Sequence, residues 1–65
     1  MINKHMTIEQ VLRTDVGTAE IFMESGMHCL GCVMAKGEDL EQACAVHGID
    51  VDVLVAKLNE YLENK

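Results

Sequence analysis

The chain has 65 residues, 49% of them hydrophobic, but with one Phe, one Tyr and no Trp its core must be aliphatic. Packed helices build such cores more readily than sheets, which favour β-branched and aromatic residues. Eleven acidic against five basic residues give a formal charge of −6, which argues against nucleic acid and anionic membrane, since both attract basic patches.

A chain this short buries only about 60% of the surface its unfolded form exposes. That leaves room for one small domain, residues 1–65, of a size often supported by a disulfide, a metal or a partner. No apolar run approaches the roughly 18 residues needed to span a bilayer. The N-terminus MINKHMTIEQ lacks the apolar stretch of a signal peptide. A cytoplasmic protein is therefore expected, in which paired cysteines serve catalysis, redox sensing or metal binding rather than structural bridging. Three cysteines leave one unpaired, so a full disulfide framework is excluded.

Glycines punctuate the chain, and proline is absent. Thr7 and Gln10 form a capping-box pattern that opens a first helix, with Ile8, Val11 and Leu12 on one face. A second helix is predicted after Asp15, running to Ser25. Its stripe is Ala19, Phe22 and Met23, and Gly26 supplies a left-handed end. A third fits residues 38–47, with Glu38 and Asp39 complementing the dipole in its first turn. Leu40, Ala43, Cys44 and His47 follow at i, i+3, i+4 and i+7, and Gly48 ends it. Asp50 caps a fourth helix that turns Val51, Leu54, Val55, Leu58 and Leu62 inward, with Asp52, Lys57, Glu60 and Glu63 outward. The expected fold is all-α, a compact bundle of four or five short helices with a CxxC loop between helices 2 and 3.

That loop, in GMHCLGCVMAKG, holds Cys29-Leu30-Gly31-Cys32. Two intervening residues let the sulfurs meet if the backbone turns, and Gly31 eases the turn. A nearby helix N-terminus, a protonated His28 or Lys36 would favour the thiolate. An accessible low-pKa thiol beside a resolving partner is what thiol–disulfide exchange requires. The bland reading is two inert, buried cysteines. Cys44 and His47 extend the pattern to C-x2-C, eleven residues, then C-x2-H, four ligands suited to tetrahedral zinc or to an iron–sulfur cluster. Both also lie on an apolar stripe, where Cys is commonly core and a lone His commonly a semi-buried residue. Hydrolytic catalysis is disfavoured, because so short a chain offers little material for a cleft and an oxyanion hole. The acidic residues read as caps and solvated faces. Met6, Met23, Met27 and Met34 fit either a soft partner-binding surface or gaps in a core without aromatics.

The run TAEIFMESGMHCLGCVMAKGEDLEQACAVHGIDVDVLVAKLN, and with it nearly the whole chain from MTIEQVL to KLNEYL, resembles a small bacterial family, the hybrid-cluster-protein-associated redox-disulfide domain. GMHCLGC followed by LEQACAVHGID carries the likeness; a CxxC alone would be weak. The resemblance implies an all-α domain in an anaerobe, with Cys29 and Cys32 as a redox couple and Gly26, Gly31 and Gly48 as backbone features. Two positions depart from the family's pattern. Val33 stands where relatives commonly carry proline, and Cys44 where many carry a small apolar residue. A partial likeness to the cysteine-bearing segment of di-iron proteins that repair iron–sulfur clusters implies a metal-linked alternative.

The expectation is a redox-active accessory domain rather than a stand-alone enzyme. It would exchange electrons through Cys29 and Cys32, with His28 modulating the thiolate, or sense redox state, and would need no cofactor. The resemblance implies a protein partner such as hybrid cluster protein or another iron–sulfur protein. One alternative binds zinc or an iron–sulfur cluster through Cys29, Cys32, Cys44 and His47. Another is a helical protein-interaction domain with no redox role.

Overall fold

Thr7 opens the first helix as its sequence pattern predicts. In the computed structural model, which describes residues 1–27 and 37–64, the Gln10 N–H donates to Thr7 Oγ1 at 3.1 Å and the Thr7 N–H to Gln10 Oε1 at 2.8 Å. These bonds satisfy two backbone groups that a helix start otherwise leaves unpaired. Helix α1 (Ile8–Thr14) buries Ile8 and Val11 and ends where Asp15 turns extended. After a short turn comes α2 (Thr18–Glu24), which buries Thr18 and Phe22. The Thr18 hydroxyl donates to the Asp15 carbonyl at 2.7 Å, so its burial leaves no polar atom unpaired.

Helix α3 (Leu40–His47) begins later than expected. Asp39 is extended and caps the helix, bonding the Gln42 N–H at 2.8 Å, instead of lying in its first turn, and Glu38 precedes it. A short carboxylate satisfies an end N–H better from outside the helix than from within it. Helix α4 (Val51–Glu63) is capped by Asp50, whose Oδ1 accepts from the Asp52 and Val53 N–H groups. Leu54 and Leu58 are its buried pair, with Val51, Val55 and Leu62 packed at the edge.

The described residues form four α-helices and no strand, around one aliphatic core with Phe22 within it. The radius of gyration, 10.3 Å, matches the roughly 10.7 Å of a compact chain this long. Helix α2 runs antiparallel to α4. Its start lies against Tyr61 and its end against Ile49, just before α4. Among the described residues no helix is long and apolar enough to cross a membrane.

Two stripe residues depart from expectation. Met23 is 47% exposed, because Thr18 and Phe22, one turn apart, set the inward face of α2 and Ile21 takes its edge. His47 is exposed rather than semi-buried. The helix ends at Gly48, and Ile49 then turns back to cover the core.

Candidate functional site

The CxxC pair, with His28, Gly31, Val33, Met34 and Lys36, lies outside the described residues. Helices flank it on either side, α2 before and α3 after. Helix α2 ends in paired backbone bonds: the Gly26 N–H donates to the Met23 carbonyl at 3.2 Å and the Met27 N–H to the Phe22 carbonyl at 3.0 Å. This is the Schellman arrangement, and it requires positive φ at the intervening residue. Gly26 has φ +113°. The hydrophobic contact that accompanies such an ending is built from Phe22 and Met27, both fully buried in the core. Met27 is therefore a core residue. Met6 packs against the core, and Met23 faces outward.

On the far side the chain reappears at Gly37 (φ +67°) and enters α3 through Asp39. Four backbone N–H groups at a helix start ordinarily lack partners. Here each is satisfied. Asp39 donates to Gln42 Oε1 at 3.1 Å and Gln42 to Asp39 Oδ1 at 2.8 Å. Leu40 donates to the Met6 carbonyl at 2.9 Å and Glu41 to the Lys4 carbonyl at 3.1 Å. The carbonyls come from the N-terminal strap, residues 2–7, which pairs with α3 through a single antiparallel bridge, Thr7 with Asp39. The strap's other end is clamped to α4. The Ile2 N–H donates to Asn59 Oδ1 at 2.8 Å, Asn59 Nδ2 donates to the Ile2 carbonyl at 3.1 Å, and Ile2 is 3% exposed.

Cys44 occupies the middle of α3 as a free thiol, 1% exposed. Burial pushes its pKa up, and the Asp50 carboxylate pushes it further the same way, since both disfavour a thiolate. His47, one turn along the same helix, faces solvent while Cys44 faces the core. The structure therefore does not turn these two side chains toward a common point. Among the described residues no three His, Cys, Asp or Glu side chains converge as metal ligands. Cys29 and Cys32 are outside that set.

An open groove of about 270 Å³ runs between α2 and α4, lined by Ile21, Glu24, Lys57, Glu60, Tyr61 and Asn64. It contains no Cys or His. Its Tyr61 hydroxyl donates to Asp15 Oδ1 at 3.4 Å, and the same oxygen accepts the Gly17 N–H at 2.8 Å. A Cβ at Gly17 would overlap that hydroxyl. The groove's floor is thus a structural brace.

Several of these features had a sequence signal that hydrophobic periodicity passes over. Asp39 and Gln42 repeat the Thr7/Gln10 spacing and form the second capping box. Asn59, on a half-buried face of α4, has no local signature, because its partner is 57 residues away.

Comparison with known proteins agrees with this architecture. A protein from Clostridium thermocellum, solved in solution by NMR as a structural-genomics target, is 60% identical; the match covers 97% of this chain and 90% of that one with a TM-score of 0.86. No curated protein matches the chain. A family model described as a domain of unknown function, DUF1858, matches residues 2–55, from the strap through the first turn of α4. The chain belongs to the DUF1858 family.

Proposed function

We propose that the chain is a thiol–disulfide redox module in which Cys29 attacks, Cys32 resolves and His28 modulates the thiolate. What supports the reading is the division among its three cysteines. Cys44 is sealed in the core with its pKa raised, and a thiol in that state is inert. Exchange chemistry then falls to the C-x-x-C pair.

The chemistry balances without a cofactor. The Cys29 thiolate attacks one sulfur of a partner disulfide, forming a mixed disulfide and expelling the other partner sulfur as a thiolate that takes up a proton. Cys32 gives up its proton and attacks Cys29 Sγ, closing the Cys29–Cys32 bond and releasing the partner's first sulfur to be protonated. Two electrons and two protons pass from the pair to the partner, and the reverse sequence reduces the pair. The likeness to the hybrid-cluster-associated redox-disulfide proteins extends the proposal to an accessory domain in the cytoplasm of an anaerobe, serving an iron–sulfur protein.

Mass spectrometry after alkylation at stepped glutathione ratios tests this. The fragment carrying Cys29 and Cys32 is expected to lose and regain two hydrogens reversibly while Cys44 stays unlabelled. Oxidation that yields only intermolecular dimers would overturn the couple. Stoichiometric zinc or iron in protein purified without oxygen, lost in Cys44→Ala, would instead establish the four-ligand site with Cys29, Cys32, Cys44 and His47. A Cys29→Ser, Cys32→Ser double variant that keeps every partner contact would establish a plain interaction domain.

A further inference from the structure

Acidic residues dominate the surface of this chain. Of the described Lys and Arg residues, Lys4 lies 3.2 Å from a Glu41 carboxylate oxygen and Arg13 3.1 Å from one of Glu9, so each is already matched by an acid. Lys57 lines the groove beside Glu24 and Glu60. These cations form no basic patch, and the formal charge of −6 already counts every Lys and Arg of the chain. Acids also stand on both sides of the CxxC segment. Glu24 is exposed in the last turn of α2, which holds no basic residue. Glu38 and Asp39 precede α3, and Glu41 is exposed in its first turn.

Screening sets how far these charges reach. The molecule measures 29 × 21 × 20 Å. The Debye length is about 30 Å at 0.01 M salt and about 3 Å at 1 M. At low salt, reactive sulfurs anywhere on so small a surface therefore feel nearly the whole charge. Steering of this kind changes association rates by about 10- to 1,000-fold.

We infer that the exchange partner of Cys29 and Cys32 is a protein whose reacting sulfurs lie in a positively charged surface, and that anionic disulfides, oxidised glutathione among them, are disfavoured. The inference rests on the redox reading above. Charge complementarity selects such a partner because encounter precedes the first attack of sulfur on sulfur. A cationic surface is drawn to the chain before the mixed disulfide forms, and an anionic one is repelled.

Stopped-flow oxidation of the reduced full chain by three small disulfides tests this: cationic cystamine, neutral 2-hydroxyethyl disulfide and anionic oxidised glutathione. Cystamine stands in for the partner's basic surface. Each reagent accepts two electrons and two protons from the pair, closing the Cys29–Cys32 bond and leaving as two thiols. Intrinsic reactivities differ, so the readout is the change in each rate between about 0.01 and 1 M salt. Over that range the cystamine rate is expected to fall about tenfold or more, the glutathione rate to rise, and the neutral reagent's rate to stay level. A cystamine rate independent of salt, or a glutathione rate that falls as salt is added, would overturn the cationic partner and leave the redox reading intact. No Cys29–Cys32 bond with any of the three reagents would overturn both.

Discussion

The end of α2 and the start of α3 flank the same stretch of chain, yet different forces hold them. The α2 end is set by burial: Phe22 and Met27 fill the core, and a glycine with φ +113° makes the turn between them. The α3 start adds to the burial of Leu40 four hydrogen bonds, two from its own capping box and two to strap carbonyls that are distant in sequence. Burying one large apolar side chain contributes about 1.5–3 kcal/mol and one net hydrogen bond about 0.5–1.5 kcal/mol, so the α2 end concentrates in two side chains what the α3 start spreads over several bonds.

Removing the buried side chain at the α2 end breaks this contrast most directly. Met27→Ala is expected to lower stability by about 2–5 kcal/mol in urea denaturation, because it leaves a cavity beside Phe22. Gly26→Ala tests the backbone instead, forcing a side chain onto positive φ, at an expected cost of about 1–2 kcal/mol. At the α3 start, Asp39→Ala removes one of several contributions and is expected to cost about 1 kcal/mol. If Asp39→Ala proved as damaging as Met27→Ala, the two attachments would be equivalent and the contrast wrong.

The smallest effect sharpens the comparison from inside the core. Cys44 holds its proton more tightly in the folded chain than at its ordinary pKa of 9.0. Its contribution is present in full below that value and is lost as pH rises through the higher folded pKa. Stability is therefore expected to fall as the solution is taken above about pH 9, and Cys44→Ala to flatten that decline. Denaturation midpoints at pH 8 and at successive steps above 9 measure the slope. An unchanged slope in the variant would mean that Cys44 ionises freely.

Local chemistry made much of this fold legible in the sequence. Thr7 with Gln10, Asp50 before Val51, and the glycines at 26 and 48 each act within a few residues, so their signals are local and they hold in the structure. Periodicity also found Phe22, Leu40, Ala43, Cys44, Leu54 and Leu58 as core. It failed at the stripe edges, with Met23 and His47, where one residue's rotation separates inside from outside. The CxxC pair is legible as a motif, by residue type and spacing alone.

Sequence alone determined the four helices and most of their caps, because propensity, capping and spacing act over one or two turns. Only the tertiary structure decided that Ile2 reaches Asn59 and that strap carbonyls close the start of α3. Those contacts join residues far apart in the chain, and no local pattern encodes them. Packing four short helices around one aliphatic core brings them together.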